Sequence, residues 1–321
     1  MNRFGLHENI ARRLVFVDGL TRCGKSLFSG ILSSLKNAEH IQFFNLIEHV
    51  VPAVALKGVS VDYARALLRI SYNELAYNMR LSRNVNFRPS DQTGVPNHVF
   101  PGKYRNRLKR REGTEVVDEL RSFKGISPFQ THDLMVNLEV LNQLDIDYRM
   151  VELFRHPVEN IYSWWRTGWG ERFGHDPRAF TITLAYRGQQ LPWYCAGYEK
   201  KWLSLNSMER CVVVVEDLLK RSVKQYQKSS QKNRVHLVRF ERMAENPKEE
   251  LRKICKFIGT GTNPKTFFYA RKARCPRKID LNERLEKMIE IKKSVSRPVY
   301  ARLTALSAAY EKNLYGLEGQ V

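Results

Sequence analysis

The segment LVFVDGLTRCGKSLFSGIL, residues 14–32, constrains the fold more than any other stretch of the chain. It places Gly19, four further residues, and then Gly24, Lys25 and Ser26 directly after an apolar run. This is a phosphate-loop pattern. Backbone N–H groups can curl around an oxyanion only where side chains stay clear, so glycines take the close approaches. A lysine adds point charge, and the following helix offers its positive N-terminus. LVFVD (14–18) reads as a buried parallel strand, and Leu27, Phe28, Ile31, Leu32 and Leu35 mark one face of a helix. Strand, loop and helix thus stand in the order the motif needs. The pattern leaves open whether the loop holds the β- and γ-phosphates of ATP or the 5′ end of a different nucleotide.

The alternation of strand and helix continues through IQFFNLI and a helical stretch around 60–80. Residues 88–115 interrupt it with Pro89, Gly94, Pro96, Pro101, Gly102 and Gly113 around the basic run KYRNRLKRRE, and are expected to form an irregular insertion or lid. DYRMVELF (147–154) is the next strand, with Pro157 placed to open a helix, and RVHLVRF (234–240) is another. In AENPKEELRKICKFIG, Asn246 is expected to cap, Pro247 to take the first helical position, Glu249 to complete a capping box and Gly259 to end the helix. Residues 281–315 predict two helices broken at Pro298. The expected architecture is one α/β domain over 1–321, a P-loop-type parallel β-sheet flanked by helices, with an irregular insertion and C-terminal helices.

A net charge of +21 on 321 residues fits an anionic nucleotide, an acidic polymer or nucleic acid as partner. No zinc-finger, RNA-recognition or helix-turn-helix signature accompanies the charge, so nucleic acid is not the expected partner. The five cysteines are scattered, without a Cys-x-x-Cys pair, as in a cytoplasmic protein with reduced thiols, and no metal site is expected. No apolar run approaches the ~18 residues of a membrane span, and the opening MNRFGLHENIARR lacks the shape of a signal peptide.

ATP chemistry needs a second acid for magnesium, usually after four apolar residues. CVVVVEDLL (211–219) offers Glu216 or Asp217, but Asn206 and Glu209 upstream resemble a capping box. The segment then runs on without a turn signal, so a helix is favoured there over a metal-holding strand end. A second group gathers more residues. VELFRHPVENIYSWW puts Arg155 at the carboxyl end of a strand, where ligands bind in open α/β sheets, and Ser163 eight residues on. An arginine fork and a hydroxyl there suit a second phosphate, distant from the first. SPFQTHDLMV supplies His132 at a further strand-to-helix crossover, and WWRTGWGERFGHD (164–176) is either an acceptor-binding loop or an aromatic cover for the core.

Taken in this order, the motifs resemble the PAPS-dependent sulfotransferase family over most of the chain. LTRCGKSLF is similar to the family's 5′-phosphosulfate loop, with Arg22 on its basic position, Cys23 on its serine, Gly24 on its glycine, and Lys25 and Ser26 on its two threonines. RHPVENIYS is similar to the 3′-phosphate motif through Arg155 and Ser163, and His132 stands in the place of the catalytic histidine, 23 residues before Arg155. VHLVRFERMAENPKEELRKICKFIG resembles the family's later strand and Pro-capped helix, and ARKAR (270–274) echoes the basic C-terminal motif through Arg271 and Lys272. The lysine at 25 and the missing C-terminal glycines and tryptophan depart from the family pattern.

The resemblance implies PAPS as co-substrate and a hydroxyl-bearing acceptor attacked in line. Arg22, Cys23, Gly24, Lys25, Ser26 and Leu27 would bind the 5′ group, and Arg155, Ser163, Arg271 and Lys272 the 3′-phosphate. Charge developing on the sulfuryl and bridging oxygens would be met by Arg22 and Lys25. His132 would take the acceptor proton. No metal is needed where the protein supplies the positive charge. The charge balance and the Trp-rich loop lean towards a carbohydrate or acidic acceptor. The alternatives are a P-loop ATP-dependent kinase, and a non-enzymatic protein that binds nucleotides or polyanions.

Overall fold

A computed structural model describes residues 4–91, 93–173 and 176–317. Five parallel strands form the central sheet: β1 (Leu14–Gly19), β2 (Gln42–Phe43), β3 (Ser127–Gln130), β4 (Tyr148–Phe154) and β7 (Val235–Arg239). They lie in the order β2-β3-β1-β4-β7, with Leu14 opposite Ser127 on one side and Tyr148 on the other. All six residues of β1 are buried, as a parallel strand covered on both faces requires. Because side chains alternate along a strand, Phe16 enters one core with Phe44, Phe154 and Val214, while Val15 and Val17 enter the other with Phe28, Ile31 and Ile254. A small hairpin, β5 (Thr183–Tyr186) and β6 (Gln189–Pro192), lies outside the sheet.

Helix α1 (Lys25–Leu32) follows β1, and α7 (Pro157–Arg166) follows β4 with Pro157 in its first turn. Helix α11 (Pro247–Ile258) ends at Gly259, whose φ of +69° is left-handed. The C-terminal pair, α13 (Leu281–Ser294) and α14 (Arg297–Asn313), divides at Val295 and Ser296, and Pro298 lies in the first turn of α14. The capping box expected at Asn246 does not form. Asn246 also closes α10 (Phe240–Glu245), its N–H donating to Arg242 O at 2.8 Å, and Glu249 pairs instead with Lys253 at 2.8 Å.

Two further stretches differ from the sequence expectation. IQFFNLI forms only the two-residue β2, and Asn45 then opens α2 (Asn45–Ala55), which precedes α3 (Val61–Leu81). The insertion at 88–115 is partly helical, with α4 (Pro101–Arg107) inside it and α5 (Thr114–Ser122) starting near its end. Its basic run is mostly exposed, but Tyr104 and Arg107 turn inward. Glu39 is buried and accepts hydrogen bonds from Arg80 at 2.8 Å, Lys103 at 2.9 Å, Tyr104 at 2.9 Å and Arg107 at 2.8 Å. Burial alone would raise this carboxyl, but Arg107, Lys103 and Arg80 together hold it well below the usual range. The insertion is thereby tied to the chain just ahead of β2.

Candidate functional site

Everything that could carry chemistry gathers at the carboxyl ends of the adjacent strands β3, β1 and β4. The loop leaving β1 is shaped by two glycines that no other residue can replace. A Cβ on Gly19 (φ +137°) would lie 2.4 Å from Leu153 O, and one on Gly24 (φ +107°) would lie 2.5 Å from the Phe240 ring. Helix α1 then begins at Lys25 without a side-chain cap, which leaves its first N–H groups facing the loop hollow. Lys25 is buried. Its Nζ donates to the carbonyls of Gly19 and, at 2.8 Å, Leu20, and lies 3.8 Å from Cys23 Sγ.

Buried acids surround this loop. Asp18 accepts from Thr131 Oγ1 at 2.9 Å and from the N–H groups of Leu134 and Met135. Burial and neighbouring Asp18 push Glu152 far above the usual carboxylate range. Burial favours a neutral Lys25, but Cys23, Asp133 and Asp18 around it reverse the sign and keep its ammonium above the usual lysine range.

A second group of cations lies beside the loop. Arg22 Nε donates to Ser163 Oγ at 3.0 Å, and Arg155 Nη1 donates to Arg22 O at 3.1 Å. Arg155 also approaches Glu159 at 3.4 Å, yet its buried Nε has no partner. The Phe240 ring that packs on Gly24 lies between two guanidinium groups, 5.1 Å from Arg155 and 5.6 Å from Arg277. From Ser26 a groove of about 540 Å³ runs between α1, the insertion residues Pro89, Ser90 and Asn97, and Lys272, Arg274 and Arg277 beyond α12 (Thr266–Lys272).

His132 stands two residues past β3, on the wall of a separate cavity of about 450 Å³. Its Nδ1 lies 3.0 Å from Glu48 Oε1 on α2. The ring is 27% exposed towards this cavity, and burial of the rest together with the Lys25 charge pushes it down to about 3. Burial also pushes Glu48 up to about 8, with Asp18 adding to the rise. The carboxyl therefore keeps its proton at neutral pH, and the imidazole carries no charge. Trp169 and Trp193 line the same cavity, with Phe43 and Phe180 at its rim.

A family model for a sulfotransferase domain matches residues 12–290. The chain belongs to the sulfotransferase family. No curated protein matches it. Among solved structures, it is similar to the sulfotransferase domain of the Synechococcus PCC 7002 olefin synthase, at 12% identity over 98% of this chain and 100% of that one, with a TM-score of 0.46. It is also similar to a sulfotransferase from Alicyclobacillus acidocaldarius, at 16% identity over 92% and 95% of the two chains, TM-score 0.38. A third likeness is to mouse sulfotransferase SULT7A1 complexed with PAP, at 11% identity over 94% and 86%, TM-score 0.39. At these identities the family model carries the assignment.

Within this sulfotransferase, Arg22, Cys23 and Gly24 end the β1–α1 loop, Lys25, Ser26 and Leu27 open α1, and Arg155 and Ser163 lie beside them as their strand and helix predict. His132 faces the second cavity, whose wall it shares with Thr21 of that loop. Of the C-terminal pair, Lys272 lines the groove and reaches Asn97 Oδ1 at 3.3 Å, whereas Arg271 is exposed and absent from the groove wall. Arg277 takes that wall instead. It lies three residues beyond ARKAR, in CPRKID, where a basic pair was visible.

Nothing in the sequence marks Glu48, an ordinary first-turn acid of α2 whose partner His132 lies 84 residues away. The aromatic segment 164–176 divides between the core and the cavity wall. Trp164 and Phe173 pack into the core while Trp169 lines the cavity; Gly174 and His175 lie outside the described residues. Glu216 and Asp217, the acids a kinase would need at a strand end, lie inside α9 (Ser207–Lys228), behind a formed Asn206–Glu209 capping box. They pair there with Lys220 and Arg221. Among the described residues no helix is long and apolar enough to cross a membrane.

Proposed function

We propose that this sulfotransferase uses PAPS and delivers its sulfuryl group to the hydroxyl of an acceptor bound beside His132. One observation carries the reading. An uncapped helix N-terminus shaped by Gly19 and Gly24, a half-buried and incompletely paired Arg155, and a neutral histidine converge at three neighbouring strand ends. The residues fit the nucleotide. Gly24 lets the loop pack directly against the Phe240 ring in a left-handed turn, and the orphaned Arg155 Nε supplies a donor towards a second phosphate.

When bound, PAPS would supply an activated sulfuryl group on its 5′-phosphate. The N–H groups at the start of α1 and Ser26 Oγ would hold the 5′ group, and the Lys25 ammonium would meet the charge that develops there. Arg155, Ser163 and Arg277 would hold the 3′-phosphate, with Lys272 at the groove wall. Arg22, whose guanidinium rests on Ser163, stands between the two groups. With Glu48 ionised and accepting from Nδ1–H, His132 would take the acceptor proton at Nε2.

The test is calorimetric titration with adenosine 3′,5′-bisphosphate in the absence of magnesium. Loss of one charge-assisted partner is worth roughly 1.5–3 kcal/mol, so Arg155→Ala should weaken binding about ten- to a hundredfold. ATP bound only with magnesium, in preference to the bisphosphate, would put the kinase reading in its place.

A further inference from the structure

We propose that the acceptor is an uncharged, flat apolar alcohol, and that Phe180 selects it at the cavity mouth. The inference rests on the PAPS-dependent reading above. It departs from the lean towards acidic or carbohydrate acceptors, because the surplus positive charge of the chain is not in this cavity. Among the described lining residues the one lysine or arginine is Arg178, and Asp176 already engages it. Arg178 Nε and Nη2 each donate to that carboxylate at 2.9 Å, and its backbone N–H adds a third bond at 2.9 Å. The acids on the wall are Glu48 and Asp133, with His49 and His132 beside them, so among the described residues a sulfated or uronic acid acceptor would meet no unpaired lysine or arginine. Burial pushes Asp133 up to about 6, as expected where water is scarce.

Aromatic side chains line part of this cavity, beside the polar Thr21, Asn45 and Thr181. Trp169 is braced from behind by Trp164 at 5.8 Å and Phe173 at 5.7 Å, and the buried Trp193 packs on Tyr194 at 5.5 Å. The half-buried Trp169 is a fixed platform on which a planar body can stack at little entropic cost. At the rim Phe43 is 42% exposed and Phe180 is 78% exposed. Phe180 also holds a left-handed backbone, φ +44° and ψ +44°, directly after the Pro177–Ala179 turn. A bulky side chain in that region is strained, and its exposure means that no core packing within the chain compensates. The two residues after it are tied down, since Trp193 N–H donates to Ile182 O at 2.9 Å at the foot of the β5–β6 hairpin. An apolar ring held at a cavity mouth in this way is placed to cover an apolar ligand.

The experiment uses the full chain with PAPS and three acceptors: naphthylmethanol, glucose and a glucuronic-acid disaccharide. Release of adenosine 3′,5′-bisphosphate gives kcat and KM for each. The expected result is turnover of naphthylmethanol at a KM at least about tenfold below that of either sugar. Phe180→Ser should raise that KM about tenfold, and Phe180→Tyr should restore it. Because the side chain is exposed, neither change threatens the fold, and kcat and bisphosphate affinity should stay as they are. A lower KM for either sugar, no turnover of naphthylmethanol, or a Phe180→Ser KM equal to the native value would overturn the proposal. Calorimetry with the bisphosphate separates the two layers: no binding sinks the PAPS reading itself, whereas normal binding with any of those three results sinks the acceptor assignment alone.

Discussion

Replacing Glu48 by Gln removes the carboxyl that bonds His132 Nδ1 and leaves the shape of the contact nearly unchanged. In the native chain Glu48 titrates near 8 and His132 near 3. Between those values the Glu48 O–H donates to Nδ1, so the ring keeps its own proton on Nε2 and cannot act as a base there. Above about 8 the carboxylate accepts from Nδ1–H, and Nε2 presents its lone pair to the cavity. The rate should therefore rise about tenfold per pH unit below that point and level off above it. An aliphatic alcohol acceptor, whose hydroxyl does not titrate in this range, isolates the effect in kcat/KM measured from pH 6 to pH 9.

Glu48→Gln should abolish this limb whichever way its amide turns. The same substitution has a stability consequence of opposite sign to that of an ordinary surface carboxylate. A carboxyl raised in the fold from 4.5 to about 8 contributes fully below 4.5, and its contribution is lost as pH rises towards 8. At 1.36 kcal/mol per unit the loss is at most about 3 kcal/mol at pH 7 and about 5 kcal/mol above pH 8. Urea unfolding should thus show the variant gaining on the native chain between pH 5 and pH 8. A native kcat/KM that is flat with pH, or a Glu48→Gln limb still centred near 8, would refute this account of the Glu48 proton.

Gly24→Ala should remove bisphosphate binding in calorimetry, since the new Cβ would meet the Phe240 ring at 2.5 Å from a left-handed backbone. Phe240 would have to move away from Arg155 and Arg277, so full affinity in this variant would show that the loop is not the site. Glu39→Ala should lower stability by about 3–5 kcal/mol in urea unfolding, because Arg107 stays buried without its counter-charge and Arg80 keeps only Glu119 at 3.1 Å. An unchanged midpoint would mean the insertion is held by its apolar contacts alone.

The parts of the fold legible in the sequence are those written by local backbone chemistry. Gly19 and Gly24 announce the loop because their conformations exclude other residues, and Pro157, Pro247 and Gly259 mark helix ends for the same kind of reason. Arg155 and Ser163 could be paired because one helix fixes their separation. What stayed hidden depends on distant partners. Lys103, Tyr104 and Arg107 look like a solvated basic run until Glu39, over sixty residues away, is placed among them. Glu48 meets His132 across 84 residues, and nothing near either one in the chain records the contact. Asn246 shows the converse failure, a locally sound capping signal overridden because the residue also closes the preceding helix.

The lysine at position 25 has a kinetic consequence. Its Nζ bridges the carbonyls of Gly19 and Leu20 while its own backbone opens α1, so the loop is a closed ring braced by the acids beneath it. A hollow that already holds its shape has no ordering step to wait for, and little conformational entropy is lost on occupation. Nucleotide capture is then governed by encounter. With a charge of +21 drawing an anionic ligand in, the association rate should be fast in dilute buffer and fall steeply as salt is added, while the dissociation rate stays nearly constant.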